Sequence, residues 1–307
     1  MASAAVAASA VTGTTGSAIA AEAKAVSASS RLKPGGAKAA EEPSMRLSVL
    51  SYSFRGLLEH AKMDVFGYLE TCKYRYSLRN ADIWNGFLTS MDEGYLKKVR
   101  EALDDRELVL ADLCADNVHI WESDPAKRQK NYEYALVNLK AARILGAQFM
   151  RVDAGGSGQA WTDEQFDHIV KRYKEYAHYA QDHGFMVGAE NHWGPEAVWA
   201  NLQKLCHAVD HPAFGISCHV GGWHGTQAEK DEADRLAAPW VCHTHFAWNI
   251  TEGPLDEKMK NLRDVGYQGS YSAEFHGGKN EYAHVAIQLA RIRAVFDRWR
   301  SGGSTSQ

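Results

Sequence analysis

The chain has 307 residues, 45% hydrophobic and 23% charged, with a formal net charge of −4. That length allows one large domain or two small ones, and the composition supports a soluble core without disulfide staples. The charge offers no basic face to nucleic acid or anionic lipid, and the five cysteines (Cys72, Cys114, Cys206, Cys218, Cys242) form no CxxC pair.

Residues 1–45 are mostly Ala, Ser, Gly and Thr, with no aromatic residue. Such a stretch buries too little to offset its chain entropy and reads as a disordered, low-complexity extension. Ala4 to Ala21 is mildly apolar and ends like a signal cleavage region, but a charged n-region is missing. A truncated export signal would make the protein periplasmic or exported; a plain tail would leave it cytoplasmic. No run of 18 strongly apolar residues exists, so no membrane span is expected.

From Met45 onward two periods alternate. Strand-like runs recur at Leu47–Phe54, Ala81–Trp84, Leu108–Cys114, Phe149–Asp153, Phe185–Asn191, Phe214–Val220, Trp240–Phe246 and Tyr271–Phe275. Between them lie helical stripes. Asp124 and Pro125 open one that Gly146 closes, and Thr162 with Gln165 forms a capping box for one closed by Gly184. Val198, Leu202, Leu205 and Val209 mark the next, and Tyr282, Val285, Leu289, Ile292, Phe296 and Trp299 the last. Eight strands alternating with helices predict a single (β/α)8 barrel over residues 46–300, with a tail at 301–307. A doubly wound sheet is the competitor, but the first turn, Ser53-Phe54-Arg55-Gly56-Leu57, lacks its glycine fingerprint.

Barrel chemistry sits where strands end. Six of the 14 histidines (His192, His219, His224, His243, His245 and His276) fall in or just after the last four strands, beside Glu190 and Glu274. Carboxylates and imidazoles together make a mixed N/O shell suited to Mn, Co, Zn or Fe(II). Glu190 and Glu274 close apolar runs, where an unpaired carboxylate costs several kcal/mol. Metal ligation offsets that cost, and a structural ion pair is the plain alternative. His243 and His245 point the same way on a strand, with His243 deeper. Cys114, Cys218 and Cys242 read as small apolar packing residues.

These residues resemble the xylose isomerase-like barrels, which include sugar phosphate isomerases/epimerases and ketose 3-epimerases. The resemblance runs from about Met45 to Trp299. It rests on Glu190 in Gly-Ala-Glu-Asn-His, His219 in Ile-Ser-Cys-His-Val-Gly, His245 in His-Thr-His and Glu274 in Ser-Ala-Glu-Phe. Successive positions differ by 29, 26 and 29 residues, about one βα unit each. The resemblance implies one divalent metal held by Glu190, His219, His245 and Glu274. Mn2+ is the foremost expectation, with Co2+, Zn2+ or Fe2+ as alternatives. Two departures stand out: His219 occupies a position where the family most often has Asp, and Thr251 stands where ketose 3-epimerases carry a substrate-binding Arg.

The implied chemistry is proton abstraction beside a sugar carbonyl, with Glu190 and Glu274 as acid and base and His192 in reserve. Reprotonation gives isomerisation or epimerisation. A β leaving group would make the same site a lyase or hydratase, the alternative reading. Candidate substrate contacts are Trp84, Asp116, His119, Arg151, His192, His224 and Trp248. Arg151 is expected to hold a negative oxygen, and Trp84, Trp121, Trp193, Trp223 and Trp248 an apolar rim. The expected partner is a small carbohydrate, with a homo-oligomer as an open option.

Overall fold

The structure, a computed structural model, describes residues 45–302. The expected signal-like segment, apart from Met45, and the tail from 303 onward lie outside the described residues.

Eight parallel strands form the sheet: β1 (Arg46–Val49), β2 (Asn80–Trp84), β3 (Val109–Ala115), β4 (Phe149–Val152), β5 (Met186–Glu190), β6 (Phe214–His219), β7 (Val241–Phe246) and β8 (Ser270–Ala273). Their order, β1-β8-β7-β6-β5-β4-β3-β2, is that of a barrel opened between β1 and β2. The helices are α1 (Arg55–Glu59), α2 (Val65–Glu70), α3 (Glu93–Asp105), α4 (Pro125–Leu145), α5 (Asp163–Asp182), α6 (Trp199–Val209), α7 (Gln227–Ala237), α8 (Trp248–Glu252), α9 (Leu255–Asp264) and α10 (Glu281–Gly302). The predicted caps form. Asp124 accepts from Ala126 N–H, Gly146 closes α4 at φ 67°, and Thr162 and Gln165 cap α5 reciprocally. α10 runs through Ser301 and Gly302, two residues past the expected boundary.

The open seam is nearly closed. Leu50 bridges Asp82 in parallel. The Tyr68 hydroxyl, from α2, donates to Val49 O at 2.7 Å and accepts from Asp82 N–H at 2.9 Å. A fully buried phenol thus replaces ladder bonds that the strands do not make.

One expectation is corrected here. The first strand does not reach Phe54; it stops at Val49, and Ser51–Phe54 form a single 3-10 turn. The hydroxyls of that turn are the reason. Ser51 Oγ accepts from Trp84 N–H at 2.9 Å and Ser53 Oγ from Phe275 N–H at 3.0 Å, so the turn caps two neighbouring strands.

Period two then sorts the side chains. Val49, Ile83, Leu113, Val152, Val187, Ile216 and Phe246 are buried with no exposed surface, on the face toward the helices. Each such aliphatic burial contributes about 1.5–3 kcal/mol. The alternate positions Ser48, Asp82, Asp112, Ser217, His243 and Ser272 face the axis, so the barrel interior is polar.

Candidate active site

Glu190 ends β5 and is 2% exposed. Its Oε1 lies 2.7 Å from His245 Nδ1, on β7, and 3.8 Å from His219 Nδ1, at the end of β6. His219 Nδ1 is also 3.6 Å from Oε2 of Glu274, just beyond β8. Glu274 Oε1 meets His276 Nε2 at 2.8 Å, whereas its Oε2 is buried without a hydrogen-bond partner. Glu274, His219, Glu190 and His245 therefore form a continuous series across β8, β6, β5 and β7.

The charges are arranged to keep both carboxylates ionised. Burial works against this for Glu190, but His245, His192 and Arg151 outweigh it and hold the carboxyl well below its ordinary range. Glu274 is drawn down to about 2 against the cost of burial, through its bond to His276 and the charge of His219. Facing these anions, His245 and His192 each rise to about 9 despite desolvation. His219 moves the other way: burial outweighs the pull of Glu274 and Glu190.

Two carboxylates, two imidazoles and one orphaned buried oxygen suit a divalent cation bound through N and O donors. Among the described residues the groups that bring three donor atoms within 4.8 Å of one another are two others: Asp153, Glu190 and His192 at the mouth, and Asp112, Cys114 and His245 beneath it.

Neighbouring side chains fix this cluster. Asn191 clamps His219 through both backbone groups, accepting from its N–H at 2.7 Å and donating to its carbonyl at 2.8 Å. Asp234 on α7 accepts from Gly221 N–H at 3.0 Å and Trp223 Nε1 at 2.8 Å, and pairs with Lys258 at 2.6 Å, so it anchors the loop after β6.

Arg151 requires a correction. It was expected to hold a substrate oxygen, but its guanidinium is buried and already engaged. It contacts Asp153 at 2.5 Å, Asp116 at 2.9 Å and Ala115 O at 3.1 Å, and its Nε is 3.2 Å from Glu190 Oε2. A planar fork with that many fixed acceptors positions carboxylates.

Rings surround the cluster. Trp84 meets Tyr52 edge-on at 5.1 Å, Tyr52 meets His276 at 5.6 Å, and His276 meets His219 at 5.9 Å. His219 stacks on His192 at 6.5 Å, His192 touches Trp193 at 4.6 Å, and Trp193 meets His119 at 6.2 Å. This arc passes from β2 by way of β1, β8, β6 and β5 to the loop after β3.

Of the expected substrate contacts, Trp84, His119 and His192 thus belong to the mouth. Asp116 joins them, accepting from Trp84 Nε1 at 2.7 Å. Trp248 does not face the arc: it packs on His284 at 4.9 Å and Phe275 at 5.8 Å. His224 is exposed, and its backbone N–H donates to Ala197 O at 2.8 Å. Trp223 is buried on Asp234, and Trp121 lies under Arg128, 3.9 Å from its ring, so neither is part of the rim. Tyr52, Asp153 and Asn191 were missed. Tyr52 was hidden by the overlong first strand, whereas Asp153 and Asn191 ended their strands in plain sight.

A family model for the xylose isomerase-like TIM barrel matches residues 68–294. The chain belongs to that family. Solved structures of this xylose isomerase-like fold align over most of the chain at low identity. D-psicose 3-epimerase from Clostridium cellulolyticum, with D-tagatose, is 14% identical (TM-score 0.65), covering 84% of this chain and 99% of its own. The probable 3-DHS dehydratase AsbF from Bacillus anthracis is 17% identical (TM-score 0.61), covering 83% and 100%. A xylose isomerase-like barrel from Mycobacterium smegmatis, in complex with magnesium, is 14% identical (TM-score 0.63), covering 77% and 90%. No curated protein shows significant sequence similarity to this chain. For this xylose isomerase-like barrel, no described helix is long and apolar enough to cross a membrane.

Proposed function

We propose that this barrel is a divalent-metal-dependent sugar isomerase or epimerase that removes a proton beside a carbonyl. The observation that carries the reading is the run Glu274–His219–Glu190–His245 at the strand ends, with Glu274 Oε2 left without a hydrogen-bond partner. Those four side chains would hold the cation, Mn2+ foremost, with Co2+, Zn2+ and Fe2+ as competitors. When bound, the cation supplies Lewis acidity that polarises a substrate carbonyl.

The protein's own groups do the rest. Glu274, ionised down to a pH of about 2, accepts the proton from one face. Glu190 serves the opposite face, and His192 holds a proton until about pH 9. The ring arc, with Trp84, Tyr52 and Trp193, offers flat faces to an uncharged sugar. The epimerase and the dehydratase among the structural neighbours are in keeping with enolisation chemistry.

A second reading, lyase or hydratase action on a keto-sugar or keto-glycoside, is favoured by Thr251. It is buried, and its hydroxyl donates to Trp248 O at 2.9 Å, so this position presents no cation to a ketose.

The deciding experiment loads the protein with Mn2+ and incubates it with free sugars, keto-sugars and keto-glycosides in deuterated water. Deuterium gained beside the carbonyl, with the skeleton intact, is the expected result. Loss of a substituent selects the lyase reading. No exchange with any substrate overturns both.

A further inference from the structure

The flank of the barrel holds a cavity that the proposed reaction does not use. It opens between α4 and α5 beside the loop after β3, has a volume of about 170 Å³, and shares no residue with the cluster at the mouth. Two ring platforms set its polar groups. Trp121 carries the Arg128 guanidinium 3.9 Å from its ring centre and meets His168 edge-on at 5.5 Å. Tyr132 carries the Arg172 guanidinium at 3.7 Å and lies nearly parallel to Tyr176 at 6.5 Å. Gln129 completes the polar wall, and among the described residues no acidic side chain lines the cavity.

We propose that Arg128, Arg172, His168 and Gln129 form a binding site for a phosphate group, free or carried as a small monoester. Each guanidinium is fixed and still has donors to give. Arg128 donates through Nε to Glu122 O at 2.9 Å, which leaves its two amino groups, and among the described residues no carboxylate pairs with it. Arg172 gives one amino group to Glu175 Oε2 at 2.7 Å, and the Tyr132 hydroxyl donates to the other oxygen of Glu175 at 2.6 Å. Glu175 offsets part of the Arg172 charge, so Arg128 is the principal anchor. Stacking holds both planes flat, and little side-chain entropy remains to be lost on binding. His168 registers the excess positive charge: burial, then Arg172, Arg128 and Lys171, lower its pKa against the pull of Glu164. A bound anion relieves that repulsion. Donors arriving from two helices suit a tetrahedral oxyanion, whose oxygens point several ways, better than a planar carboxylate with two. Sites for drug-sized ligands start at about 300 Å³, so this cavity takes a phosphate group and little more.

This inference goes beyond the proposed reaction and stands or falls separately from it. Calorimetric titration of the metal-stripped full-length protein with inorganic phosphate at low ionic strength should show one saturable site with a Kd of ~1 mM or tighter. Arg128→Gln and Arg172→Gln should each weaken it about tenfold. Glu274→Gln, which alters only the mouth, should leave it unchanged. Glycerol phosphate binding more tightly than inorganic phosphate assigns the site to a monoester, and the reverse order assigns it to free phosphate. Acetate should bind more weakly than either. A crystal soaked in selenate needs no variant: an anomalous peak within hydrogen-bonding reach of Arg128 and Arg172 is expected. No saturable binding, an affinity unchanged in both arginine variants, acetate bound as tightly as phosphate, or no selenate peak in this cavity would each overturn the site.

Discussion

Glu190 turns one oxygen to His245 Nδ1 at 2.7 Å and the other to Arg151 Nε at 3.2 Å. A single buried carboxylate thereby joins the donor cluster on β5–β8 to the ion-pair network on β3 and β4. Changes to Arg151 should therefore register both in stability and in the proposed reaction.

Arg151→Met is expected to destabilise the protein by about 3–5 kcal/mol, because it takes away the buried guanidinium that Asp153, Asp116 and Glu190 share. Urea unfolding measures this. A residue that mainly touched substrate would instead raise KM and leave the unfolding midpoint in place.

Glu274→Gln should lower turnover at least ~10²-fold, since the amide cannot accept the proton. The fold should survive, as Glu274 is tied to the protein chiefly through the exposed His276. Turnover close to wild type with metal still bound would remove Glu274 from the reaction.

Trp84→Ala should raise KM for an uncharged sugar about three- to tenfold, with a smaller effect on kcat, if the ring arc is a sugar platform. Steady-state kinetics on the substrate identified by deuterium exchange supplies the comparison. A fall in kcat at constant KM would place Trp84 behind Asp116, as a support for the ion pairs.

Glu196 makes a pH prediction. It is fully buried after β5, and its Oε2 accepts from Ala154 N–H at 2.6 Å. Burial, followed by repulsion from Asp153, raises its carboxyl well above the ordinary value of 4.5. The folded form binds this proton more tightly than the unfolded chain does. Its stabilisation is therefore complete below pH ~4.5 and is lost as pH rises toward the folded value, at about 1.4 kcal/mol per pH unit. Glu196→Gln carries no such penalty. Melting curves of the two proteins should lie closest near pH 4 and separate by pH 8 in favour of the variant; a constant offset across that range would contradict the assignment.

Much of the barrel is legible in the sequence because strands and helices are written in local periods. Short apolar runs, the Asp124 cap, the Thr162–Gln165 box and Gly146 act within a few residues of themselves, so one-dimensional reading places them. Glu190, His219, His245 and Glu274 stand out as candidates for the same reason: each closes a run, and their spacing matches about one βα unit.

Tertiary structure decided what depends on the partners a side chain meets. Arg151 looks like a substrate ligand until folding surrounds it with Asp116, Asp153 and Glu190. Tyr52 reaches the mouth only because Ser51 and Ser53 find the backbones of β2 and the segment after β8. Cys114 reads as a small apolar residue in its own strand, and His245, 131 positions later, comes to face it only when the barrel closes. The sequence carries local period and capping, whereas burial of a charge or a donor is a property of the closed barrel, settled by which strands and loops it brings together.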